Sequence, residues 1–349
     1  MPLSNYMRAV LFQRPDYIPM IFAVNGSCWH TYPQEALCEL IEDHPLLFPG
    51  YQRPKLPFAP EWHPICRAGI PYTDDFGCVW ETAMDGITGT VTKHPLAGWG
   101  SFVDYSFPDP SVCMGIGPTD WAAEETRIKK AQTEGQDTFG GLRHGHTFLQ
   151  LCDMRGYESL MFDFIDEEPR LEGLIGGVEE FNAYIIRRYA DLGVSVMTYA
   201  EDLGMQIGPM LSPAHFARYI KPSYQRLMAI AREKGILVHM HSDGDIRTLV
   251  DDIIDGGVQV LNLQDLVNGI DWIAAKFREK ICIDLDIDRQ TITPCGTPAQ
   301  IDALIRESVE KIGCRAGGLT MIYGLYPGVP LENVKALMDA MERYMGYYA

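Results

Sequence analysis

The sequence predicts an α/β fold, a (β/α)8 TIM barrel with long N-terminal loops over the C-terminal face of its strands. Three observations predict it. The C-terminal half alternates strand-like and helix-like segments through five consecutive units, which argues a parallel sheet with covering helices. Its strands are near-continuous apolar runs, as expected for a sheet buried on both faces. Polar residues sit directly after each of these strands, where barrels place their chemistry. An open doubly wound sheet would share the first two features; the third favours the barrel.

Ile18–Val24 reads as a first strand and Glu35–Glu42 as a short helix. Residues 46–140 are rich in Pro, Gly, Trp and Tyr and show few periodic segments. They read as long loops and short hairpins over the barrel mouth, a loop-rich elaboration within one domain spanning 1–349. Loops of this length in a compact chain are usually functional or disordered, and the aromatic content argues against disorder. Tyr157–Asp166 and a helix after Glu168 rejoin the regular pattern. The run 194–204, VSVMTYAEDLG, reads as a strand ending in two acids. A helix follows, with Ser212 as N-cap, Pro213 in its first turn and Gly235 at its end. Ile236–Met240 is the next strand and Asp245–Ile254 a helix with Asp245 as its cap. Val258–Leu263 (strand) and Gly269–Phe277 (helix) come next. Lys280–Leu285 is a strand, and Thr297 caps a helix with Pro298 behind it. Gly318–Tyr323 is the last strand and Leu331–Tyr344 the last helix.

Composition narrows the function. The 349 residues include 47 acidic and 29 basic side chains, a net charge of −18. No Lys/Arg run supplies the basic face that nucleic-acid phosphates require. The acidic balance also weighs against a strongly anionic substrate unless arginines cluster at one site. Nine cysteines are dispersed with no C-x-x-C pair, which reads as reduced thiols and a cytoplasmic location. The start, MPLSNYMRAVLFQRPDYIP, lacks the apolar core of about 7–15 residues that a signal peptide carries. No run approaches the roughly 18 apolar residues of a membrane span. The expected partner is a small-molecule substrate, with neither nucleic acid nor membrane.

The sharpest local signal is His239-Met-His241-Ser-Asp243-Gly-Asp245, directly after a strand. Alternation puts His239 and His241 on one face. Imidazole and carboxylate together bind a divalent metal or transfer protons. Equally, a histidine here satisfies a backbone carbonyl, and Asp243 or Asp245 caps the next helix. Glu201-Asp202 ends the preceding strand, as a site or as a solvated turn. Asp284, Asp286 and Asp288 in CIDLDIDRQ alternate to one side. Three like charges crowd there unless a cation, a shared proton or Arg289 relieves them. Tyr323 and Tyr326 follow the last strand; they would bond or wall a substrate, or pack beneath the loops. Asn25 and His30 follow the first strand. His144 and His146 in RHGHTF rank below His241. The phosphate loop G-x-x-x-x-G-K-[ST], the G-x-S-x-G elbow and H-E-x-x-H are absent, so nucleotide-triphosphatase and serine-hydrolase readings lack support.

The segments EDLGMQIGPMLSP, HSDGDI, GGVQVLNLQDLVNGID, DIDRQTITPCGTP and YPGVPLENVKAL resemble the uroporphyrinogen decarboxylase superfamily. Upstream, DDFGCVWE and HPLAGW resemble its methyltransferase-like branch, the corrinoid-dependent methyltransferases. The likeness covers most of residues 70–345 and follows the family's motif order. It implies a (β/α)8 barrel and one of two chemistries: decarboxylation without a cofactor, or methyl transfer to or from a corrinoid protein or a thiol, often with zinc. The decarboxylase's N-terminal arginine motif is missing from IPMIFAVNGSCWH. Uroporphyrinogen, with eight carboxylates to grip, is therefore a poor substrate. The family's zinc methyltransferases carry His-x-Cys after a strand and a later Cys. Here His241 matches the His, Asp243 stands at the first Cys, and Tyr323-Gly-Leu-Tyr326 holds no Cys.

The resemblance thus implies a methyltransferase moving a methyl group from a small O- or N-methylated compound to a corrinoid protein. His241, Asp243 and Glu201 would hold Zn2+ through nitrogen and oxygen. His241, Glu201, Asp288 and Tyr323 would act in catalysis. Asn25, Trp29, Trp80, His239, Asp286 and Tyr326 would contact substrate. The alternative is a metal-free lyase decarboxylating a small carboxylic acid. Superfamily members are often dimers, so a homodimer is expected from the resemblance, not from any residue.

Overall fold

The computed structural model describes residues 3–349. Ten strands occur in chain order: β1 (Met20–Val24), β2 (Tyr72–Thr73), β3 (Val79–Glu81), β4 (Thr90–Lys93), β5 (Phe139–Gly141), β6 (Val196–Asp202), β7 (Leu237–Asp243), β8 (Val260–Gln264), β9 (Cys282–Asp286) and β10 (Leu319–Leu325). Seven form one sheet in the order β1-β10-β9-β8-β7-β6-β5, and β2-β3-β4 form a small second sheet. The chain is an α/β protein of the TIM-barrel class, with seven sheet strands among the described residues in place of the eight expected. None of the described helices is long and apolar enough to cross a membrane.

Two compact units divide the chain: one holds 69–82 and 89–261, the other the rest of the described residues. In the first unit, β5 pairs parallel with β6 and β6 with β7, in a register that sets Ala200 beside His241 and Asp202 beside Asp243. Both β6 and β7 alternate strictly toward their C-terminal ends. Tyr199, Glu201, Met240 and Ser242 are buried, while Thr198, Ala200, Asp202, His239, His241 and Asp243 are half-buried. The period of two in side-chain direction causes this. The buried face packs under the helices Leu171–Leu192 and Lys221–Glu233. Each fully buried aliphatic or aromatic side chain there contributes about 1.5–3 kcal/mol.

The helix expected after Ser212 is interrupted. Ser212 caps it, but Phe216–Ile220 forms a π-turn before Lys221–Glu233 resumes. Pro222 lies just beyond that turn, and with no N–H it cannot extend the regular ladder. The next helix starts at Val250, not Asp245. Asp245 caps no helix: it accepts from the Arg247 and Gly208 amides and pairs with the Arg247 guanidinium at 2.7 Å. Residues 46–140 contain the hairpin strands β2–β4, as expected. They also contain a helix the sequence hid, Trp121–Thr133, capped by Asp120 and burying only Trp121 and Ile128.

In the second unit, β1 pairs parallel with β10 and β10 with β9. The helices Pro298–Ile312 and Leu331–Met345 pack together there. Thr297 and Gln300 complete a reciprocal capping box with Pro298 in the first turn, the start signal read from the sequence.

Candidate metal centre

The C-terminal ends of β6 and β7 and the turn after β5 bring three donors together in the first unit. His144 Nε2 lies 3.3 Å from Asp202 Oδ1, and His241 Nε2 lies 3.4 Å from that same oxygen. The two imidazole rings are 5.8 Å apart, and one ligand atom from each residue falls within 4.8 Å of the others. Asp243 Oδ1 is 3.6 Å from His241 Nε2.

Local structure explains the convergence. Asp202 and His241 share a face because each strand alternates. His144 arrives from a turn: the Leu142 and Gly145 amides bond to Thr198 and Ala200 carbonyls of β6, at 3.0 and 2.8 Å, and carry the chain along it past the end of β5. Gly145 holds φ +75°, and a Cβ there would press on Leu149 at 2.9 Å. The loops after β6 and β7 touch backbone to backbone. A Cβ on Gly244 would sit 2.1 Å from the Gly204 carbonyl carbon, and one on Gly204 would sit 2.5 Å from the Asp245 nitrogen. These two glycines let the strand ends lie side by side.

Burial works against charge on Asp202, but hydrogen bonds from His144 and His241 outweigh it and hold the carboxyl well below the usual range. The Asp243 amide also donates to Asp202 Oδ1, at 3.1 Å. Two nitrogens and an anionic oxygen suit zinc. With metal–ligand distances of about 2.0–2.1 Å, tetrahedral ligands stand about 3.3–3.4 Å apart, the two separations measured from Asp202 Oδ1. The side chains of His144, His241 and Asp202 are 52, 22 and 29% exposed, so the cluster is reachable from solvent, as an open catalytic site must be.

Glu201 is not part of this cluster. Strand parity turns it to the opposite, helix-covered face, where it is wholly buried. Its carboxylate accepts from the Thr147, Phe148 and Leu149 amides and from the Tyr224 hydroxyl, at 2.9–3.2 Å. It therefore anchors the start of the helix Phe148–Arg155, and burial pushes its pKa up to about 7. His146 Nε2 lies 3.9 Å from Glu201; burial, then the nearby His144 and Arg143, push its pKa down to about 3.

Asp288 lies past the end of β9 and accepts from the amides of Gln290, Thr291, Ile292 and Thr293 at 2.5–3.1 Å. Tyr323 is 1% exposed, packs on Phe22 and bonds to Thr293 Oγ1 at 3.3 Å. The Asn25 side-chain oxygen closes a turn on the Ser27 amide and hydroxyl. Trp29 is buried edge-on against Phe58, and Trp80 is buried with its indole N–H on Asp74. Asp286 is buried and held by Arg289 at 2.8 Å. Tyr326 is exposed beneath the Arg289 guanidinium. His239 lies on the His241 face of β7, two residues before it.

Asp202 and His144 lie beside His241, a grouping that the sequence does not single out. Strand parity, counted back from His241 across the parallel register, is the signal that would have chosen Asp202 over Glu201. His144 carried no such signal, because β5 is three residues long and two of them are glycine.

Comparison with known proteins agrees with the resemblance seen in the motifs. The uroporphyrinogen decarboxylase (URO-D) family model matches residues 121–344. Curated uroporphyrinogen decarboxylases from Pongo abelii and Homo sapiens are each 22% identical to the chain, over 46% and 44% of it. Those matches span less than half of the relatives' own length, 43% and 41%. Among solved structures, a methyltransferase from Methanosarcina mazei aligns over 98% of both chains with a TM-score of 0.64 and 19% identity, which shows a shared fold.

Proposed function

The chain belongs to the uroporphyrinogen decarboxylase family, and we propose that it is a methyltransferase, moving a methyl group from a small O- or N-methylated compound to a corrinoid protein, with Zn2+ held by His144, Asp202 and His241. The observation that carries this reading is the convergence of the His144 and His241 nitrogens on one Asp202 oxygen, with a ligand atom of each residue within 4.8 Å of the others. The metal would act as a Lewis acid on the oxygen or nitrogen that loses the methyl group. Asp202 supplies the negative charge of the site and, through its shared oxygen, fixes both rings. To bind the metal, His144 and His241 would each turn a deprotonated Nε2 to the ion in place of the hydrogen bond to Asp202. Asp243 stands next to His241 as a fourth donor. Methyl transfer would break a C–O or C–N bond and leave its electron pair on the heteroatom, which then takes a proton from solvent; a cobalt(I) corrinoid on the partner would supply the pair for the new bond.

The metal-free lyase reading needs a guanidinium to grip a carboxylate. Arg143 is buried between Asp74 and Asp153, and Arg289 is clasped by Asp286. Neither arrangement favours that reading. Metal analysis of protein purified without chelator tests the proposal. Near-stoichiometric zinc, lost in His241→Ala and Asp202→Asn, supports it, as does methylcobalamin formed from reduced cobalamin and a methyl donor. Absence of zinc uptake even when zinc is supplied overturns it.

A further inference from the structure

A buried charged knot lies directly behind His144. The Arg143 side chain is 3% exposed, and its guanidinium reaches Asp74 at 3.3 Å and Asp153 at 3.2 Å. It also donates to the carbonyls of Gly115 at 3.4 Å and His144 at 3.2 Å, and lies 5.5 Å from the Trp80 ring centre. Asp74 is completed by the Cys78 amide at 2.8 Å and the Trp80 indole N–H at 2.9 Å. One side chain thus ties the β2–β3 hairpin, the turn at Gly115 and the helix Phe148–Arg155 to the residue preceding His144.

That tie matters because β5 ends at Gly141, and the next two amides bonded to β6, Leu142 and Gly145, flank residues 143 and 144. The His144 carbonyl is taken by Arg143 Nε. We propose that Arg143 is a positioning residue, which sets the His144 imidazole opposite Asp202 and His241. The proposal rests on the metal-site reading for its functional consequence, but its geometry does not. A guanidinium offers five donors in a rigid plane, so it can serve two carboxylates and two carbonyls at once. A lysine has one nitrogen and cannot reproduce the fork. A buried ion pair adds little net stability, so stability alone is a weak reason for this knot.

Arg143→Lys keeps the charge that Asp74 and Asp153 need and removes the fork. The test loads wild type and R143K with cobalt(II) and reads its affinity and visible spectrum. We expect R143K to fold, to bind cobalt about 10-fold or more weakly, as for lost supporting contacts at metal sites, and to show an altered band intensity. Equal affinity with an unchanged spectrum overturns the proposal. Should R143K fail to fold, Asp153→Asn, which loosens one arm of the fork, is read the same way: weaker binding with an altered spectrum supports it, and wild-type values overturn it. If wild type itself takes up no cobalt, the metal reading fails by itself. The His144 ring resonances of metal-free wild type and variant then decide: a shift supports positioning, and identical resonances overturn it.

Discussion

The strand ends of the two units carry the same kinds of residue and use them differently. In the second unit, Asp284 accepts from Thr320, Asp286 is clasped by Arg289, Asp288 gathers four backbone amides and Tyr323 is buried. Asp265, 1% exposed, keeps one carboxyl oxygen with no partner, and burial pushes its pKa up to about 8. In the first unit, Asp202 is shared by two imidazoles and remains open to solvent. An acidic residue after a strand is therefore a weak sign of chemistry. Asp202 differs in having two imidazole nitrogens on one carboxylate oxygen.

Substitutions can break that contrast, beginning with the largest effect. Asp202→Asn removes the charge both rings face, and zinc affinity is expected to fall by about 100-fold or more; chelator competition reads it. Asp288→Ala should do the opposite. It leaves the Ile292–Cys295 turn uncapped and should cost about 2 kcal/mol of stability, with zinc stoichiometry unchanged; denaturant unfolding beside metal analysis checks this. Equal loss of zinc in both variants would erase the distinction between the units.

Asp265 gives a pH-dependent prediction. Its folded pKa, about 8, is raised above the ordinary 3.8, so the unfolded state releases its proton first. Its contribution to stability is full below about pH 4 and is lost as pH rises toward 8. Asp265→Asn should flatten that decline, measured as unfolding free energy between pH 5 and 8. A slope identical to wild type would show that Asp265 titrates normally. The smallest effect is expected from Asp243→Asn: a loss of zinc affinity below about 10-fold, since Asp243 sits at the edge of the cluster. A loss matching that of Asp202→Asn would make Asp243 a full ligand.

Much of this was legible in the sequence. The strands around Val196–Asp202 and Leu237–Asp243 were read from unbroken apolar runs, and His241 from its place after one of them. Ser212, Thr297 and Pro298 announced helix starts because capping is local chemistry. The failures share a cause: they depend on what lies across space. Glu201 and Asp202 are neighbours in sequence but on opposite faces of β6. Asp288 looks like Asp286 until the chain folds back and offers it four amides. The helix Trp121–Thr133 buries two side chains, too few to leave a pattern, and β5 is too short and glycine-rich to read as a strand. His144 reaches the site only through the turn that Arg143 holds.

Zinc-edge X-ray absorption on protein loaded with one equivalent of zinc tests the central claim most directly. The metal is expected to be bound by nitrogen and oxygen only, at about 2.0–2.1 Å, with the more distant scattering of two imidazole rings. A sulfur scatterer at about 2.3 Å, placing the metal on one of the nine cysteines, would contradict it.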